Sequence, residues 1–308
     1  MQKQFQLSGS IVAIVTPFLE NLDIDYRALD KLIEFQVESG TSGIVVCGTT
    51  GEAATLTEDE YHSVIDFTVN RVAGRIPVIA GVGSNSTAQT LRNIEIAESC
   101  GVDALLVVSP YYNKPNRSGM IQHFETVARY TPLPVILYNV PGRTGVNMSA
   151  DLVLQLAESN QNIVAIKEAS GDLGQIMTIL ANRPDNFKVF SGDDALAFAV
   201  VALGGEGCIS VVANQIPSQF AEMHRHIAEG DLPQARLIHE RYLALMNLNF
   251  IESNPVPVKA CLAMMGLINH FVRTPLGQLD AQHASRLRAE LVALQLLSDV
   301  SYQPAVGS

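Results

Sequence analysis

The stretch 163–170 reads IVAIKEAS. Four apolar residues, Ile163 to Ile166, run straight into Lys167. Their number and β-branched content fit a strand buried on both faces, as in a parallel sheet covered by helices. Lysine is rarely fully buried unless it is paired or used. An amine held at the inner end of such a strand should lose some of its preference for charge. A neutral amine attacks ketones and aldehydes. Taken alone, Lys167 also reads as a strand end whose ammonium snorkels to water. The surrounding chain has to decide between the two.

Outward from 163–166, seven further apolar runs recur, at 11–15, 43–47, 77–81, 104–108, 135–138, 188–190 and 208–212. Each is followed by a helix-length interval. Asp25 precedes a run carrying Leu29, Leu32 and Ile33, and Gly40 stops it. Thr57 with Glu60 has the spacing of a capping box. Ser86 and Ser149 open two more helices. Alternating strands and helices with continuous apolar strands indicate a parallel sheet. Eight βα units predict a (β/α)8 TIM barrel over residues 1–230. The alternative is a doubly wound open sheet, which usually carries a Gly-rich phosphate turn. No GxGxxG, GxxxxGK or GxSxG occurs. Beyond Asn214 helices follow without strands, at 217–229, 231–249, 255–268 and 281–297. The first completes the barrel. The other three make a small C-terminal helical unit, residues 231–308, whose tail at 298–308 is predicted to be disordered.

The 308 residues allow one large domain plus an appendage, with 47% hydrophobic and 17% charged residues. A net charge of −11 argues against nucleic acid as a partner. The apolar run at 11–15 is too short for a signal peptide, and no segment reaches membrane-span length. Cys47, Cys100, Cys208 and Cys261 form no CxxC pair and read as reduced thiols, so a cytoplasmic location is expected.

In a (β/α)8 barrel the chemistry gathers at the C-terminal strand ends. Those ends carry Thr49 and Thr50, Tyr111 and Tyr112, Tyr138 and Arg143, Lys167, Gly192 and Ile209. No His, Cys or carboxylate set has metal spacing. The nearest match to HExxH, at His239-Glu240, has Leu243 in the second His position. The set suits carbonyl chemistry through a lysine imine, with a tyrosine moving protons. Singly, each residue has a plainer reading. Tyr138 could be a core aromatic, Thr49 and Thr50 a capping turn, Arg143 a surface ion pair. Their convergence on one barrel face favours the imine.

With these residues in place, the motifs GTTGEAATL, SPYYNKP, YNVPGRTG, IVAIKEAS and SGDD resemble those of the 4-hydroxy-tetrahydrodipicolinate synthase family. GSIVAIVTPF and NPVPVKACLAMMG agree as well. The resemblance implies condensation of pyruvate with L-aspartate 4-semialdehyde, the committed step of lysine and diaminopimelate biosynthesis, without an organic cofactor or catalytic metal. It implies Lys167 as the imine-forming lysine and Tyr138 as the acid/base. Thr49 would link two phenols by hydrogen bonds. Tyr112, the second phenol, would reach a neighbouring subunit's site. Arg143 would hold the aldehyde's carboxylate and Thr50 that of pyruvate, beside the main chain of Gly192 and Ile209. The family is usually a homotetramer, a dimer of dimers.

The same superfamily contains N-acetylneuraminate lyase and 2-keto-3-deoxy sugar-acid aldolases, which share the lysine and tyrosine. Arg143, five residues after Tyr138, favours a short aldehyde that carries a carboxylate. A catalytically dead barrel serving as a binding protein is the third reading. Gly142 stands where many synthases have serine. A lysine effector site is implied at Asn85, Gln89, Tyr111, Glu58 and Tyr61. Gln89 there replaces a carboxylate, so feedback by lysine is expected to be weak or absent.

Overall fold

The computed structural model describes residues 7–297. The tail at 298–308 lies outside the described residues, and so does the expectation of disorder placed on it. Eight parallel strands close a barrel in sequence order. They are β1 (Gly9–Ala13), β2 (Gly43–Val46), β3 (Val78–Gly81), β4 (Ala104–Val108), β5 (Val135–Asn139), β6 (Ile163–Glu168), β7 (Lys188–Ser191) and β8 (Gly207–Ser210). The barrel helices are α1 (Tyr26–Glu38), α2 (Glu58–Val72), α3 (Thr87–Ser99), α4 (Arg117–Tyr130), a one-turn α5 (Pro141–Thr144), α6 (Ala150–Ser159), α7 (Leu173–Asn182), α8 (Asp194–Ala202) and α9 (Pro217–Ala228). After them come α10 (Leu232–Leu248), α11 (Val256–Met264) and α12 (Ala281–Ala293). Among the described residues no helix is long and apolar enough to cross a membrane.

The caps read from the sequence are present at three helices. Asp25 accepts from Ala28 N, Ser86 from Gln89 N, and Thr57 and Glu60 form the reciprocal box. Ser149 differs. Its side chain caps nothing and donates to Asp151.

Strand alternation sends two sets of side chains to two cores. Ile11, Val45, Ile79, Ile136, Phe190 and Ile209 fill the barrel interior. A second, larger cluster lies between the strands and the helices. On β6 the alternation breaks. The pairing with β5 runs Val135 to Ile163 and then Ile136 to Ala165, leaving Val164 as an extra residue. Ile163 faces the helices, while Ala165 faces the interior. This bulge shifts the phase of the strand, so Lys167 falls on the inner side.

Two strands start and end earlier than their apolar runs suggest. β1 is Gly9–Ala13, against an expected 11–15, and β8 is Gly207–Ser210, against 208–212. The two pair Gly9 with Gly207 where the barrel closes. A Cβ on Gly207 would lie 2.1 Å from the Gly9 carbonyl oxygen, so the seam requires glycine, which no apolar pattern announces. At the other end, the amides of Val211 and Val212 donate to the buried Asp194 carboxylate and leave the ladder. Among the C-terminal helices, α11 stops at Met264 rather than 268, with Gly266 at φ +74° just beyond, and α12 stops at Ala293 rather than 297.

The C-terminal helices are tied to the barrel mouth by one buried cation. Lys259 on α11 donates to Glu52 Oε1 at 2.6 Å and to the Thr16 carbonyl at 2.9 Å, and is fully buried. Its Nζ lies 4.1 Å from the centre of the Phe18 ring. Burial pulls the ammonium down to about 8, and the Glu52 carboxylate opposes that shift. The second Glu52 oxygen accepts from Arg273 N, and the Arg273 guanidinium pairs with Glu60, whose carboxyl it holds down to about 2. Removing one member of such a pair leaves a buried, uncompensated charge. Lys259→Met is expected to lower stability by about 3–5 kcal/mol in urea denaturation, and Lys259→Met/Glu52→Gln by less than that.

Candidate functional site

β5 and β6 bring the two principal groups together. Tyr138 and Lys167 are register partners, and the Lys167 amine lies 4.5 Å from the centre of the Tyr138 ring. Both residues are buried. The backbone around Lys167 is held from behind. Glu168 points away from the interior and accepts from Asn139 Nδ2, Gln175 Nε2 and Ser170 N at 3.1, 2.9 and 2.8 Å. Gly192 follows β7, and a Cβ on it would lie 2.9 Å from Lys167 Cε and 3.0 Å from Cγ. Glycine at that position leaves the lysine stem room to extend.

The loop after β2 brings up Thr49 and Thr50. It is braced by Thr16 Oγ1, which donates to the Gly51 carbonyl at 2.7 Å, and by Glu52, whose φ is +54°. Thr50 Oγ1 accepts from Asn254 Nδ2 at 2.9 Å. The one-turn α5 after β5 carries Arg143 and ends at Gly145 with φ +72°. Arg143 Nη2 donates to the Asn254 carbonyl at 3.3 Å. One residue from the C-terminal unit therefore contacts both polar groups at the mouth.

These side chains enclose a cavity of about 210 Å³ bordered by Thr49, Thr50, Tyr138, Arg143, Lys167, Gly192 and Asn254. It continues into an outer cleft of about 560 Å³ that shares Thr49, Tyr138, Arg143 and Asn254. Glu58, Tyr61, Gln89 and Tyr111 line the outer cleft. Tyr61 donates to the Gly81 carbonyl at 2.9 Å, and burial pushes its hydroxyl well above the ordinary phenol range. Gln89 is engaged on both sides, donating to Asn93 and accepting from Arg92.

Four expected residues stand elsewhere or lack the expected bonds. Ile209 is part of the barrel interior and does not border the cavity. Val211 does, because β8 ends at Ser210 and the chain turns inward there. Tyr112 is 88% exposed at φ +70° and lies outside this chain's own cavity. Asn85 borders neither cavity, and its carbonyl accepts from Asn113 at 2.8 Å. Thr49 borders the cavity, but among the described residues its hydroxyl makes no hydrogen bond to a phenol. Among the described residues no group of three or more His, Cys, Asp or Glu could hold a metal ion.

Sequence reasoning missed Asn254, Glu168 and the Glu52–Lys259 pair. Lys259 carried a readable signal. It stands in the apolar run VPVKACL, much as Lys167 stands in IVAIK. Asn254 opens the motif NPVPVKACLAMMG, but its partners Thr50 and Arg143 come from distant segments, and Glu168 is held by Asn139 across the sheet as well as by its neighbours Ser170 and Gln175.

Comparison with known proteins agrees over nearly the whole chain. The Dihydrodipicolinate synthetase family matches residues 6–294. A 4-hydroxy-tetrahydrodipicolinate synthase of Chloroherpeton thalassium is 48% identical over 297 residues, covering 96% of this chain and 98% of that protein. One of Chlorobium phaeobacteroides is 47% identical over 291 residues, covering 94% and 98%. The crystal structure of dihydrodipicolinate synthase from Aquifex aeolicus superimposes with a TM-score of 0.92 at 44% identity, covering 94% of this chain and 99% of that one. In motif order, in overall sequence and in barrel architecture alike, the chain belongs to the dihydrodipicolinate synthetase family.

Proposed function

We infer that this chain is a lyase that condenses pyruvate with L-aspartate 4-semialdehyde to 4-hydroxy-tetrahydrodipicolinate, the committed step of lysine and diaminopimelate biosynthesis, in the cytoplasm. Supporting the reading are the named relatives and one geometric observation. A buried lysine amine stands 4.5 Å from a tyrosine ring in a small cavity whose mouth holds a guanidinium. The Lys167 amine attacks the keto carbon of pyruvate, and loss of water gives the imine. Tyr138 passes the protons, first to the departing hydroxyl and later from the methyl carbon, so that an enamine forms. Thr50 donates to the pyruvate carboxylate. Arg143 takes the carboxylate of the incoming aldehyde, a pairing that suits the planar guanidinium. The enamine carbon bonds to the aldehyde carbon. The substrate's amino group then closes on the imine carbon and releases Lys167.

Borohydride with pyruvate tests this reading. A pyruvate-sized adduct is expected at Lys167 and none on Lys167→Ala. Turnover should favour aspartate semialdehyde over N-acetylneuraminate and 2-keto-3-deoxy acids. No adduct would sink every imine mechanism, and a preference for the sugar acids would transfer the chain to the aldolase branch.

We propose that the active assembly is a homotetramer, a dimer of dimers, in which Tyr112 completes a neighbour's site. The exposure of Tyr112, beside a half-open Tyr111, supports this. Tyr112→Phe is expected to cut kcat roughly tenfold or more, as loss of a proton-relay group does, and sedimentation should give the tetramer mass. A fully active monomer would refute it.

Gln89 is neutral and its amide is already engaged, so it offers lysine's ammonium less than a carboxylate would. Added lysine is expected to leave the rate unchanged up to low millimolar concentration. Clear inhibition in that range would contradict this.

A further inference from the structure

Tyr138 and Lys167 are register partners, and so are the residues that follow them, Asn139 and Glu168. Strand alternation turns the first pair into the cavity and the second pair out behind the barrel wall. Both members of the second pair are buried. Asn139 Nδ2 donates to both Glu168 carboxylate oxygens at 3.1 Å. Asn139 Oδ1 accepts from Met148 N at 3.0 Å, which fixes the way the amide faces and keeps Nδ2 towards Glu168. Glu168 takes two further donors, Gln175 Nε2 at 2.9 Å and Ser170 N at 2.8 Å.

The main-chain ladder gives this register uneven support. The bulge at Val164 interrupts the pairing of β6 with β5 upstream of Lys167. On its other side β5 is well anchored, because the Tyr138 carbonyl accepts from Ser109 N at 3.0 Å and from Ser109 Oγ at 3.1 Å. Of the two strands, β6 is therefore the one whose end is free to shift. Downstream of Lys167 it is tied to β5 by Ala169 N, which donates to the Asn139 carbonyl at 2.8 Å, and by the Asn139–Glu168 side chains. Proton transfer between a phenol and the carbon beside an imine depends on placement, and a displacement of about 1 Å costs on the order of 100-fold in rate.

We propose that Asn139 and Glu168 form a cross-strand clasp that sets the spacing of Tyr138 and Lys167, making both of them positioning residues for proton transfer at the pyruvate imine. This rests on the imine reading above and adds to it the device that holds the proton-transfer group against the imine. Gln175 reaches the same carboxylate from α7, so it braces Glu168 without joining the two strands.

The test uses the full-length protein and pyruvate alone. Exchange of the pyruvate methyl protons in D2O, followed by NMR, reports imine formation together with proton transfer. Borohydride trapping reports the imine by itself. Asn139→Asp sets two carboxylates face to face and is expected to slow exchange about tenfold or more, while the adduct at Lys167 still forms. Asn139→Asp/Glu168→Gln swaps donor and acceptor across the clasp and is expected to bring exchange back to within about threefold of wild type. Asn139→Ala and Gln175→Ala each take one donor side chain from Glu168, but only the first cuts the link between the strands. Asn139→Ala is expected to slow exchange and Gln175→Ala to leave it near wild type, and this pair decides if Asn139→Asp does not fold. Wild-type exchange in Asn139→Asp, a folded double variant that does not recover, or no greater slowing in Asn139→Ala than in Gln175→Ala would overturn the proposal. Absence of a trapped adduct in wild type would instead count against the imine reading.

Discussion

The ion pair between Lys259 and Glu52 is the constraint on which the mouth of the barrel depends. A carboxylate and an ammonium removed from water are tolerable only when each is paired and hydrogen-bonded. Both conditions hold. Lys259 reaches Glu52 and the Thr16 carbonyl, and Glu52 also receives Arg273 N. The pair thereby joins the ends of β1 and β2 to α11. It holds in register the loop that carries Thr49 and Thr50 and the segment that carries Asn254. The C-terminal helices thus share in building the site as well as covering one side of the barrel.

Inside that frame Lys167 is placed by fit. The bulge at Val164 turns Lys167 inward, Tyr138 flanks it on β5, and the missing Cβ of Gly192 leaves room for its stem on the β7 side. Glu168 ties down the next peptide from behind. Holding an amine in one pose reduces the entropy lost on reaching the attacking geometry. The same crowding limits what can approach: the inner cavity is about 210 Å³, and a longer ligand would extend into the outer cleft.

Much of this was legible in the sequence, and the rest was hidden for definite reasons. Apolar runs and caps gave the eight strands and most helix starts because both are local. Lys167 and Tyr138, near the ends of β6 and β5, and Thr50 and Arg143, in the turns after β2 and β5, could be placed because the C-terminal strand ends are legible from the apolar runs. Gly9 and Gly207 hid the true starts of the seam strands, since glycine carries no hydropathy signal. Asp194, on α8, shortened β8 by taking the two amides that follow Ser210. Ile209 was assigned to the cavity on motif alone, and the inward turn at Val211 takes that place. Asn254 needed three segments to come together before its position acquired any meaning.

The glycine seam has a consequence for how the chain is completed. A closed sheet has no free edge, so the finished barrel offers no strand for another chain to pair with. Before β8 reaches β1, however, two edges are open, and they come from opposite ends of the barrel sequence. Joining contacts so far apart is slow compared with local structure. The interval before closure is therefore the period of greatest exposure to misassembly, and a side chain at Gly207, by blocking the approach to Gly9, would extend it. The seam glycines act as guardians of assembly as much as components of the finished fold.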